Sequence, residues 1–173
     1  LAHAKAARVI LPLLAVWLVV QLQMQPRVPY VQGFERAAAT VAEVAPPSSN
    51  VLVSAHRDGN FIYDLRTQEK RRDIGVRRAD KLLVEIRIMR ELGVRERDLN
   101  QQQILATLDK QHIETVVYQQ GYLADLPSIR NLEALLEHSG NYVRVGVVPM
   151  VGKTDPSEHQ LIIYRRQRPI ASS

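Results

Sequence analysis

The chain has 173 residues and a net charge of +5, with 23 Lys and Arg against 18 Asp and Glu; 46% of it is hydrophobic and 24% charged. That balance excludes wholesale disorder and allows one domain with a real core plus a further segment. The absence of cysteine excludes disulfide frameworks, thiolate metal sites and cysteine nucleophiles.

Residues 1–25 hold an uninterrupted apolar run from Val9 to Val20, with Lys5 and Arg8 before it and Gln21, Gln23 and Gln25 after it. The run alone falls short of the roughly 20 helical residues that cross a bilayer. Ala4, Ala6 and Ala7 on one side and Leu22 and Met24 on the other extend it, Lys5 and Arg8 can snorkel, and Trp17 lies toward the far interface. These features predict a transmembrane helix over 1–25. The basic residues before it place its start in the cytoplasm and send the rest of the chain out of the cell membrane. A buried core helix fits less well, because the run is apolar around its whole circumference. A secretory signal fits less well too, because "QLQMQPR" lacks a small-x-small cleavage site.

"QPRVPYVQG" contributes two prolines and a glycine, and residues 26–33 read as a linker to an extracytoplasmic α/β domain over 34–173. "FERAAATVAEVA" predicts a helix with Phe34, Ala38, Val41 and Ala45 on one face, stopped by "PPSSN". "VLVSA" and "FIYDL" predict two strands of a hairpin turning at Asp58-Gly59. A short strand near Ile74–Arg77 and a helix from about Asp80 to Leu92 follow. Asn100 caps a helix that turns Ile104, Leu105 and Leu108 inward. "ETVVYQQ" is a buried-type strand, and "LPSIRNLEALLEHSG" is a helix ending at Gly140. "NYVRVGVVPMV" and "HQLIIYRR" close the chain as strands joined by a turn-rich segment. Alternating strands and helices point to an α/β fold with a mixed sheet, in two or three layers.

His56-Arg57-Asp58 matches the letters of a protein-kinase catalytic loop, but that loop needs an Asn five positions past its Asp, and here Asn60 follows after two. A metal site on His56 and Asp58 lacks further ligands at metal spacing, since His3, His112, His138 and His159 are scattered. A nuclease-like set from Asp58 or Asp64 with Glu85-Ile86-Arg87 lacks the lysine such sites use. Nucleophile elbows, P-loops and dinucleotide turns are absent from the sequence. One charged cluster stands out: Lys70, Arg71, Arg72, Arg77, Arg78 and Lys81 lie close together near the start of a predicted helix. Arg71, Arg72, Arg77, Arg78 and Lys81 are candidate contacts to phosphate or a lipid headgroup. The competing reading is a solvated face balanced by Glu69, Asp73 and Asp80. Nucleic acid is disfavoured as a partner, because no aromatic side chains interleave with the cluster as stacking platforms.

Taken together, the apolar N-terminal helix, "NVLVSAHRDGNFIYDLR", "VRRADKLL", "IETVVYQQ" and "LIIYRR" resemble the C-terminal end of bacterial membrane glycosyltransferases of the dolichyl-phosphate-mannose protein mannosyltransferase type. The resemblance implies an accessory domain at the tail of a larger enzyme, in keeping with a chain that begins at Leu1. That enzyme would transfer a hexose from a polyprenyl-phosphate donor to an acceptor outside the cytoplasm. It implies no catalytic residue and no cofactor in this chain, because the family's catalytic acid lies far upstream; the parent enzyme is compatible with a divalent metal. The implied partners are membrane lipid and, through the parent, the lipid-linked donor and the acceptor. A single-span anchored α/β binding module is the alternative reading.

Overall fold

The computed structural model describes residues 12–21, 23, 31–68, 71–86, 92–152 and 159–167. The chain divides into two compact units, residues 1–30 and 31–173.

In the first unit residues 12–21 are helical (α1), and Leu13, Leu14, Val16, Trp17, Leu18, Val19 and Val20 are exposed on it. At 1.5 Å per residue such a helix spans about 15 Å, half the roughly 30 Å of a bilayer's hydrocarbon. Among the described residues no helix is long and apolar enough to cross a membrane, which corrects the transmembrane helix expected over 1–25. The apolar run is too short by itself, and the flanking residues invoked to lengthen it lie outside the described residues.

The second unit starts at Val31, inside the stretch read as linker. Its elements are β1 (Val31–Gln32), α2 (Phe34–Val44), β2 (Asn50–Ser54), α3 (Asp58–Thr67), β3 (Gly75–Arg78), α4 (Ala79–Leu82), α5 (Gln101–Lys110), β4 (Ile113–Gln119), α6 (Pro127–His138), β5 (Tyr142–Pro149), β6 (Val151–Gly152) and β7 (Gln160–Arg166). Five strands form one mixed sheet in the order β3-β2-β4-β7-β5. Strands β3, β2 and β4 are parallel, while β7 runs antiparallel to both β4 and β5. β1 and β6 make a separate antiparallel ribbon.

Helices cover both faces. Val51 and Val53 of β2, Val117 of β4 and Leu161 and Ile163 of β7 pack with Phe34, Ala37, Ala38 and Val41 of α2 and with Phe61 and Leu65 of α3. Leu52, Val116, Tyr118, Ile162 and Tyr164 alternate with them onto the opposite face, against Ile104 and Leu108 of α5 and Ile129, Leu132 and Leu136 of α6. Burial on both faces explains why these strands read as nearly continuous apolar runs rather than alternating ones. The α/β class and mixed sheet follow the sequence reading, as do α2, α6 and α5, whose Asn100 forms a complete capping box with Gln103.

Two further expectations fail. The hairpin over 51–66 is instead a strand, a short loop and helix α3. Phe61, Tyr63 and Leu65 alternate as a strand would, but Phe61 and Leu65 are also one helical turn apart, and both are fully buried while Tyr63 is 70% exposed. Parallel pairing of β2 with β3 requires a long crossover, which α3 supplies and a two-residue turn cannot. The helix expected over 80–92 shrinks to the single turn of α4: Val84 is buried after it, and Ile86 bridges to Val94. Residues 87–91 lie outside the described residues.

Candidate functional site

β2 lies between β3 and β4, and the chain leaves β2 and β3 toward opposite faces, through α3 on one side and α5 on the other. The point between β2 and β4 is therefore the topological switch point, and open α/β sheets bind ligands there, outside the carboxyl ends of the strands. Three loops converge at that edge: Ser54–Asp58 after β2, Arg78–Lys81 at the end of β3, and Gln119–Tyr122 after β4.

The letters His-Arg-Asp that resemble a kinase loop thus sit at the switch point. Arg57 takes a left-handed backbone, φ 61° and ψ 33°, to turn the chain from strand to helix, a conformation rare for a residue with a Cβ. Asp58 opens α3, where a carboxylate is favoured by the helix dipole. Its Oδ2 accepts a hydrogen bond from Arg78 Nε at 2.5 Å, and Arg78 Nη2 reaches Asp80 Oδ2 at 3.3 Å. Lys81 Nζ lies 3.5 Å from the same Asp80 oxygen and donates to the Ile86 carbonyl at 2.5 Å. Burial pushes the Asp58 carboxyl above its ordinary value, against the pull of the Arg78 guanidinium and its hydrogen bond. From the β4 side, Gln119 Oε1 accepts the backbone N–H of His56 at 2.8 Å, and the His56 ring stacks on Tyr122 with centroids 6.1 Å apart and planes 19° apart. Ser54 Oγ and Asp80 Oδ1 are buried at this edge without a hydrogen-bond partner, a state with a desolvation cost.

The basic cluster of the sequence is divided between the two ends of the sheet. Arg71 lies before β3, at the opposite end of the sheet from the switch point. It donates to the carbonyls of Ala42, Ala45 (2.9 Å) and Pro46 (3.3 Å), closing the C-terminus of α2, and pairs with Asp73 at 3.1 Å. Asp73 also accepts the N–H of Ser48 at 2.7 Å, and the Arg71 bond leads these in holding its carboxyl below the ordinary value. Arg72 and Arg77 are exposed. Only Arg78 and Lys81 reach the switch point, and both are engaged with Asp80. Lys70 lies outside the described residues.

Of the other sets considered, Asp64 lies along α3 beside a pocket of about 490 Å³ at the start of α2, away from Glu85, which pairs with Arg97 and Arg95. Among the described residues no group of three or more His, Asp or Glu side chains is placed to hold a metal. Sequence reasoning missed Ser54, Gln119 and Tyr122. Each stands at or just past the end of a correctly read strand, so assuming those two strands to be parallel neighbours would have brought them together. Comparison of the chain with protein-family models, with curated proteins and with solved structures gives no match.

Proposed function

We propose that residues 31–173 are a non-catalytic accessory domain of a hexosyltransferase, and that they bind part of its sugar-phosphate donor or its acceptor at the carboxyl edge of the sheet. The observation that carries this reading is the convergence of three loops on the switch point, bringing His56, Asp58, Arg78, Asp80, Gln119 and Tyr122 to one edge. A few convergent polar groups and aromatic rings are among the features of small-molecule sites. The charged groups there are tied to one another rather than arranged as a nucleophile with its base, which suits holding a ligand more than transforming it. The accessory role rests on the sequence resemblance described above.

Isothermal titration of the full chain with mannose 1-phosphate, which carries both sugar and phosphate, tests the reading. Binding that weakens when His56 and Tyr122 are both replaced by Ala, and that persists in Arg72→Gln, is the expected result. Absence of binding, or binding indifferent to the double replacement, counts against it.

A further inference from the structure

We infer that the cavity at the start of α2 is a binding site of its own, distinct from the three loops at the switch point, and that it takes a primary ammonium group carried on a short apolar chain. The cavity holds about 490 Å³ and is enclosed by the β1–β6 ribbon, the first turn of α2, the end of β5 and Asp64 of α3. That volume falls in the range of small-molecule sites. Its charged lining is Glu35, Asp64 and Arg36, and Val31, Pro149 and Val151 give it an apolar wall. Val151 is 55% exposed, so this wall is open to a ligand and not sealed into the core.

The two carboxylates decide the class of ligand. Asp58, Asp73, Asp80 and Glu85 are each held by an arginine. Among the described residues, Glu35 and Asp64 have no hydrogen bond or ion pair at their carboxylates. Burial, and after it the charge of Glu35, pushes the Asp64 carboxyl above its ordinary value. A cation entering between them relieves that repulsion and gains charge-assisted hydrogen bonds. The start of a helix by itself favours an anion. Here Glu35, in the first turn of α2, already supplies one, and Arg36 is not among the charges that act on Asp64. A calcium ion would need about six to eight oxygen ligands, and among the described residues no three acidic or histidine side chains come together. An ammonium group has three N–H donors, which two carboxylates can largely satisfy while the attached chain lies along Val31, Pro149 and Val151.

Pentylamine, pentanol and pentanoate share one apolar chain and differ in charge, and backbone amide shifts of the full chain separate them. Pentylamine should shift Val31–Arg36, Asp64, Val148 and Val151, with pentanol and pentanoate weaker by at least about tenfold. The double variant Glu35→Gln, Asp64→Asn should bind pentylamine at least about tenfold more weakly, with a circular dichroism spectrum unchanged from wild type, and Arg36→Gln should bind it no less tightly. Nα-acetyl-lysine amide carries the same ammonium group: equal affinity assigns the site to a lysine side chain of a partner, and weaker binding assigns it to a free amine. Pentanoate binding as well as pentylamine, displacement of pentylamine by equimolar calcium, pentylamine binding indifferent to the double replacement, or the absence of shifts at these residues overturns the inference.

Discussion

Replacing Arg71 separates a structural clamp from a phosphate contact. The Arg71 side chain is 19% exposed, and its guanidinium donates to three main-chain carbonyls at the end of α2, besides pairing with Asp73. Hydrogen bonds involving a charged partner contribute about 1.5–3 kcal/mol each, but these carbonyls lie near the surface and regain some water when the arginine is removed. The Asp73 pair, on a carboxylate open to solvent, adds little to this. Arg71→Gln should therefore cost about 2–4 kcal/mol, whereas Arg72→Gln, on an exposed side chain, should stay within about 0.5 kcal/mol. Urea unfolding followed by far-ultraviolet circular dichroism reads the difference. With a slope of about 2 kcal/mol/M, the Arg71 midpoint should fall by about 1–2 M and the Arg72 midpoint should hardly move. Equal, small shifts for both variants would refute the clamp and restore the view of a single solvated basic face.

Phe61 and Tyr63 report on the helix that replaces the expected hairpin: Phe61→Ala should cost about 3–5 kcal/mol in urea unfolding, and Tyr63→Ala within about 0.5 kcal/mol. Comparable losses at both positions would return the segment to a strand. Asp58 and Asp73 should act oppositely in acid. The folded state raises the Asp58 pKa above 3.8, so its contribution to stability is full below that value and is lost as pH rises through the raised one. The folded state lowers the Asp73 pKa below 3.8, so its contribution is present above that value and is lost as pH falls through the lowered one. Asp73→Asn should flatten the loss of stability measured by urea unfolding as pH is lowered, and Asp58→Asn should steepen it; changes of the same sign in both would contradict the assignments.

The architecture was legible wherever one period dominated. In β2, β4 and β7 the apolar run itself marked a strand, in β4 one of the buried type, and in α5 Asn100 marked the helix start. Residues 58–67 were misread because Phe61, Tyr63 and Leu65 satisfy two periods at once, and the Asp-Gly pair tipped the reading toward a turn. What decides between them is the parallel register of β2 with β3, from Asn50 opposite Gly75 to Val53 opposite Arg78, a long-range pairing that no local pattern contains. The basic cluster failed for a related reason. Arg71 and Arg78 are close in sequence, but β3 runs between them and carries them to opposite ends of the sheet. Conversely, Tyr122 is far from His56 in sequence and stacks on it, because β2 and β4 are adjacent and parallel. The candidate edge is a product of strand order, which composition and spacing leave open.

The most direct measurement is a map of backbone amide shifts in the full chain as mannose 1-phosphate is added. Shifts should concentrate at Ser54–Gly59, Arg78–Lys81 and Gln119–Tyr122, the three loops at the carboxyl edge of the sheet. Shifts gathered instead around Val31–Arg36 and Asp64, where the pocket beside α2 lies, or the absence of any shift, would contradict the placement of the site at the switch point.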